Sequence, residues 1–205
     1  MVIGRETLKN MLEYTAQLLY ESKSYLCYLD SKAGDGDHGL AIEEISYLIV
    51  EELEKIEEKS LKDFFHDLGW RIMTIKGGTA APLWGVMFQG LAEPLEENEC
   101  SIDERRLGEM FTSSLESLKE ASGARMGDKT MMDVFIPVVE SLDSEEEFYE
   151  IFRQMKEVAL RRAESTREMP CSCGKGRNKW KRAIGIKDPG AVSLSLFFRG
   201  LYEGY

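Results

Sequence analysis

The sequence predicts an all-α fold, and three observations carry that expectation. Val, Ile, Leu and Phe recur mostly at helical spacing, and no convincing alternating strand stands out. Residues that favour helix starts, such as Ser60 and the Asp188-Pro189 pair, stand at the head of apolar runs. Glycine-bearing loops separate the runs. With 43% hydrophobic residues in 205, the chain can bury a real core, and it reads as a single domain over residues 1–205.

The first helix is expected from about Arg5 to Tyr28, with Leu8, Met11, Leu12, Leu18 and Leu19 as its inner stripe. An acidic glycine loop ends it. A second helix follows from His38 to about Glu58, with Ile42, Ile45, Ile49 and Leu53 facing in. Ser60 caps a third, Leu61 to about Ile75. A glycine pair breaks it, and a fourth resumes through Val86, Phe88 and Leu91. Ser101 with Glu104 reads as a capping box for a fifth helix, about Asp103 to Ala121. A sixth runs from about Lys129 to Leu142, and Ser144 with Glu147 caps a seventh that reaches about Arg167. Residues 168–187 lack a clear period and read as a long loop, of the kind that often covers a site. Asp188 as cap and Pro189 at the first position start the eighth, with Ala191, Leu194, Leu196, Phe197 and Leu201 carrying it to the C-terminus.

The chemistry concentrates in the loops. Leu29 to Gly39 holds Asp30, Asp35 and Asp37 among three glycines. Asp and Gly both disfavour element interiors, and closely spaced acids repel unless something positive lies between them. Magnesium takes a few carboxylate oxygens together with phosphate oxygens, so the loop fits a hard divalent cation. A plain solvated acidic turn is the other reading; an EF-hand is not, because the spacing and the closing Glu are missing. Lys76 to Gly85 carries Gly77-Gly78-Thr79, a turn that also suits an anion at a helix start. Ser122 to Asp133 is a third glycine-bearing loop that opens a helix. In an up-and-down antiparallel arrangement, connections after odd-numbered helices share one end, so these loops and the one before the last helix converge on one rim. A carboxylate set, several helix N-termini and a basic cover are what a polyphosphate needs.

Charge and cysteine usage narrow the classes. Net charge is −11, which argues against nucleic acid as the main partner. Between Arg161 and Lys187, however, nine Lys or Arg face two acids, which suggests an anion-facing cover or a docking arm, with a solvated helix end as the alternative. Of the four cysteines only Cys171 and Cys173 are close, and that spacing is not a zinc pattern. With no signal peptide and no long apolar run, the expectation is a cytoplasmic protein with reduced thiols and no membrane partner.

Four motifs in order resemble the ADP-binding L subunit family of dihydroxyacetone kinase. They are Asp30 with Gly34-Asp35-Gly36-Asp37-His38-Gly39; Gly77-Gly78 with Pro82-Leu83 and Gly85; Gly127-Asp128-Lys129-Thr130-Met131-Met132-Asp133; and Gly185 with Asp188-Pro189-Gly190-Ala191. The resemblance implies an eight-helix antiparallel barrel with ADP or ATP at one rim. It implies two magnesium ions bridged by Asp30, Asp35 and Asp37, which would also be the residues of the transfer chemistry. His38, Gly39, Leu40 and Ala41 would line the nucleotide, with Gly78, Thr79 and Ala80 at the phosphates. Gly123 and Met131 would touch the adenosine side, Lys175 would stand in the cover, and Asp188, Pro189 and Gly190 would close the site. The implied partners are a subunit that holds dihydroxyacetone and a phosphoprotein subunit of the bacterial phosphotransferase system, with a second copy of the chain as a further candidate. His66, among Phe64, Phe65 and Leu68, reads as structural. The chain departs from the family at Ala80, where Ser is usual, and at Ala81, where Gly is usual. It also has Lys175 at the usual Arg of the cover, with Arg177 nearby, Arg182 at its second Arg, and Ile186 at the usual His before Asp-Pro-Gly. Lys does not replace Arg at a bidentate phosphate contact. The expected function is transfer of the γ-phosphoryl group to dihydroxyacetone on the partner. The alternatives are a paralogue serving another small ketose and a regulatory protein that keeps ADP without transfer.

Overall fold

Residues 2–76, 78–171 and 184–205 are described by this computed structural model, and helices dominate them. In order they are α1 (Arg5–Glu21), α2 (Lys23–Ser31), α3 (His38–Leu53), α4 (Leu61–Met73), α5 (Ala80–Ala92), α6 (Glu104–Ser122), α7 (Met132–Glu140), α8 (Phe148–Ser165) and α9 (Pro189–Gly204). The fold is all-α, as the periodicity predicts.

Several boundaries differ from the sequence reading, each for a local reason. The predicted first helix is two, divided at Ser22, where ψ rises to −2° and the backbone bends while its amide still bonds to the Leu18 carbonyl. That makes nine helices among the described residues rather than eight. The second predicted helix stops at Leu53, and Ile56–Glu58 forms a separate 3-10 turn. Asp103, not Ser101, caps α6, accepting from the Arg106 amide at 2.7 Å. Ser101 is engaged elsewhere: β1 (Ile3–Gly4) and β2 (Ser101–Ile102) pair antiparallel, a short ladder that the periodicity does not show. Ser144 does not cap α8 either, because Asp143 takes the turn, accepting from the Glu145 amide, and Glu147 is the capping position. Finally α7 starts at Met132 and not Lys129, since Lys129 has φ of 61° and a left-handed residue cannot continue a right-handed helix. Ser60 and Asp188 cap as expected, accepting from the Asp63 and Ala191 amides.

Neighbouring helices pack in sequence: α1 on α3, α3 on α4, α4 on α5, α5 on α6, α6 on α7, α7 on α8 and α8 on α9. The last helix also packs on the first, so the cycle of contacts closes. That closing seam is tight. A Cβ on Gly200 of α9 would lie 2.4 Å from Thr15 Oγ1 and 2.5 Å from Thr15 Cα on α1, so only glycine allows this approach. Inside, Trp84, Phe88 and Phe197 meet edge-on or tilted, as do Phe111, Phe135 and Phe198 with one stacked pair.

One buried charge network sits between α3 and α4. Glu52 is fully buried and accepts from Lys59 and from Arg71 Nη1 at 2.8 Å, with Lys55 at 3.5 Å. A buried carboxylate is tolerable only with such partners. Arg5 adds to this corner by donating to the Ile56 and Lys59 carbonyls. Among the described residues no helix is long and apolar enough to cross a membrane.

Candidate functional site

At one end of the helices a cavity of about 520 Å³ opens. Its lining combines the loop after α2 and the starts of α3, α5, α7 and α9. Helix N-termini carry partial positive charge and unpaired amides, so four of them at one cavity favour an anion. The predicted convergence of the glycine-bearing loops is thus observed for residues 29–41, 78–84, 121–132 and 186–190.

The aspartate loop is wound around one of its own acids. Asp30 Oδ2 accepts from three successive amides, Gly36 at 2.8 Å, Asp37 at 3.0 Å and His38 at 3.3 Å. Gly34 packs against the same carboxylate: a Cβ there would fall 2.0 Å from Asp30 Oδ1. The folding of this loop brings Asp30, Asp35 and Asp37 together, with one carboxylate oxygen from each within 4.8 Å of the others. Asp30 and Asp37 are half-buried and Asp35 is exposed. Three hard oxygen donors at this separation, at the mouth of a cavity, fit magnesium.

The third motif repeats the device. Asp133 is buried at the start of α7 and accepts from the Gly127 and Thr130 amides, so the intervening loop curls over its carboxylate. This leaves Lys129 buried in the cavity wall with its Nζ 3.2 Å from the Met169 carbonyl. Burial pushes the Lys129 ammonium pKa down, against the pull of Asp188 and Cys171. Asp188, which caps α9, is half-buried as a residue, but its carboxyl is the enclosed part. Burial raises its pKa to about 7; the Ala191 amide and Lys129 oppose the rise, and the like charges of Asp133 and Asp30 add to it.

The other candidate residues distribute as follows. His38, Ala41, Gly78, Thr79, Ala80, Met131, Pro189 and Gly190 line the cavity, and so does Ile186. Gly39 is buried against α2, beside the Lys23 carbonyl, and Leu40 is exposed; neither lines the cavity, and neither does Gly123, the left-handed residue that ends α6. His66 lies on an exposed face of α4 beside Asp67 and does not line the cavity. Lys175, Arg177, Arg182 and Cys173 lie outside the described residues. Two functional candidates escaped the sequence reading. Lys129 was visible only as part of a motif, and its burial follows from a left-handed turn that no residue type announces. Ser193 reads as an ordinary helix position, yet its Oγ is 3.0 Å from His38 Nε2.

Comparison with known proteins gives the same picture from outside the structure. Residues 32–203 match the DAK2 domain. The chain is 30% identical over 205 residues to the ADP-binding subunit DhaL of the PEP-dependent dihydroxyacetone kinase of Escherichia coli (strain K12), covering 98% of this chain and 97% of that one. A D-erythrulose kinase of Mycolicibacterium smegmatis is 27% identical over 96% of this chain, which spans only 35% of that enzyme. Among solved structures, the dihydroxyacetone kinase of C. freundii in complex with AMP-PNP and Mg2+ superposes with a TM-score of 0.76 at 25% identity. That alignment covers 96% of this chain and about a third (33%) of the C. freundii chain. A family match across most of the sequence and an end-to-end likeness to a DhaL subunit lead to one conclusion: the chain belongs to the DAK2 domain family, in its DhaL branch.

Proposed function

We propose that this chain is the nucleotide-holding component of a dihydroxyacetone-kinase-type phosphotransferase. The observation that carries the reading is the carboxylate set of Asp30, Asp35 and Asp37 at the mouth of a cavity that four helix N-termini face. Asp30, Asp35 and Asp37 would hold two magnesium ions, and the cavity would hold ADP or ATP. Magnesium, when bound, supplies positive charge against the phosphate oxygens during transfer. The names of two relatives support the ligand: the E. coli subunit is called ADP-binding, and the C. freundii kinase was solved with AMP-PNP and Mg2+.

The chain's own residues do the rest by positioning. Phosphoryl transfer needs alignment and charge neutralisation more than covalent help. The amides at the start of α5, beside Gly78, Thr79 and Ala80, would receive the phosphates, and the Thr79 hydroxyl would supply the one that Ala80 lacks. Met131, in the cavity lining, would bound the adenosine side, and Gly123, which ends α6, is a candidate for the same side by the resemblance alone. Asp188, Pro189 and Gly190 close the far wall, and Lys129 adds a cation to it. Only two histidines exist, one exposed and one in the cavity wall, so direct transfer through the nucleotide is favoured over a phosphohistidine.

The acceptor in this reading is dihydroxyacetone held on a separate subunit. The description of the E. coli relative as PEP-dependent supports a phosphoprotein that recharges the bound ADP. The test mixes this chain with a dihydroxyacetone-binding subunit, magnesium and ATP, and follows triose phosphate. Product only when both proteins are present is expected; no product with any ketose, despite tight nucleotide binding, would contradict transfer. A second reading is a tetrose-serving paralogue. The likeness to a D-erythrulose kinase favours it, and erythrulose in the same assay decides between them.

A further inference from the structure

We propose that Ser193 is a positioning residue that holds His38 in its Nε2–H tautomer. Ser193 is fully buried on α9, and His38 opens α3 in the cavity wall. The two are 155 positions apart in sequence and 3.0 Å apart as Oγ and Nε2. The Ser193 hydroxyl also lies 3.0 Å from the Gly190 carbonyl, in the back-bonded geometry common for serine on a helix.

A count of protons assigns the direction. A carbonyl oxygen only accepts, and a hydroxyl has one proton to give. If Nε2 were bare, the hydroxyl proton would turn to it, and Oγ and the Gly190 oxygen would face each other as two acceptors with nothing between. The sequence Nε2–H to Oγ–H to Gly190 O satisfies both contacts. His38 Nδ1 then carries the lone pair, so the imidazole can only accept there. The same contact ties the helix that follows the aspartate loop to the Asp188–Gly190 turn, so it fixes two walls of the cavity relative to each other.

The consequence for nucleotide affinity rests on the function proposed above; the tautomer itself does not. Ser193→Ala is expected to weaken magnesium-dependent ADP binding by roughly fivefold, the equivalent of one hydrogen bond of about 1 kcal/mol. Ser193→Thr, which returns the hydroxyl, recovers most of the loss.

The deciding experiment is a long-range proton–nitrogen correlation on the imidazoles of the full, nitrogen-15-labelled chain. It is run over a pH series, and the tautomer is read at the pH where the two ring-nitrogen shifts themselves show the neutral ring. Only His38 and His66 contribute, and His66→Gln assigns the peaks. The expected spectrum shows His38 protonated at Nε2, and Ser193→Ala turns it into a mixture of tautomers. His38 protonated at Nδ1 in the unaltered chain overturns the proposal, as does a Ser193→Ala spectrum identical to it. Should Ser193→Ala fail to fold, the unaltered chain alone still decides. If that chain shows the Nε2–H tautomer but binds no ADP, the nucleotide reading fails and the Ser193 assignment stands.

Discussion

Asp30 has a double duty in this structure, and replacing it by alanine should therefore cost more than replacing either of its partners. Its carboxylate accepts from the Gly36, Asp37 and His38 amides at 2.8, 3.0 and 3.3 Å, so it holds the loop that presents the other two acids. Hydrogen bonds to a charged acceptor contribute about 1.5–3 kcal/mol each when dry, and less at a half-buried site such as this one. Counting about 1 kcal/mol for each of the two shorter bonds and less for the third gives about 2–3 kcal/mol of loop order. That is roughly 30- to 150-fold in the population of the correct loop. Asp35 is exposed. Asp35→Ala removes one metal donor but leaves in place the carboxylate on which those three amides are wound. The expected result is that Asp30→Ala weakens magnesium-dependent ADP binding by one to two further decades relative to Asp35→Ala. In hydrogen exchange, the Gly36 and Asp37 amides should lose protection by a similar factor in Asp30→Ala alone. Equal affinities and equal exchange in the two variants would refute the structural role assigned to Asp30.

Other expectations follow from the rest of the fold. Glu52→Gln leaves Lys59 and Arg71 facing a neutral group in the α3–α4 network, though each keeps a second carboxylate, Asp67 and Glu51, and should destabilise by about 1–2 kcal/mol, measured by denaturant unfolding. Burial works to raise the Glu52 pKa, but hydrogen bonds from Lys59 and Arg71 hold it below the ordinary value of 4.5. A depressed carboxylate contributes stability above its unfolded pKa, so the difference between Glu52→Gln and the unaltered chain should shrink as pH falls below about 4. Asp188 has the opposite sign: raised to about 7 in the fold, it favours folding while protonated and loses that contribution as pH rises through neutrality. Asp188→Asn keeps a capping side chain, so in metal-free protein its melting temperature should fall less between about pH 6 and pH 8 than that of the unaltered chain. Gly200→Ala drives a methyl into Thr15 at the α1–α9 seam. It should cost about 2–3 kcal/mol, or roughly 4–10 °C in Tm by calorimetry.

Much of the fold was legible because amphipathic periodicity is a local signal. The stripes of α1, α3 and α4 needed no tertiary information, and the Asp188-Pro189 start of α9 is a local signal too. Boundaries failed where a longer-range contact outbid the local one. Ser101 looks like a cap, but it pairs with Gly4 across almost a hundred residues, and Asp103 caps instead. Lys129 looks helical, but Asp133 captures the loop before it and turns Lys129 left-handed. At the site, the clustering of Asp30, Asp35 and Asp37 could be anticipated as one of two readings, because closely spaced acids repel unless a cation lies between them or water screens them. The winding of the loop on Asp30 could not, since nothing in the composition says which acid serves as its post. The Ser193–His38 contact was invisible for the same reason, since it depends on the closing of α9 against the start of α3.

The central claim is that three aspartates at one rim make nucleotide binding depend on a divalent cation. The most direct measurement is calorimetric titration of the nucleotide-stripped chain with ADP, with and without magnesium. Tight binding in magnesium that disappears in chelator, and is weakened in Asp35→Ala while the helical circular dichroism persists, is the predicted result. ADP affinity that is the same with magnesium, with chelator and in Asp35→Ala would contradict it.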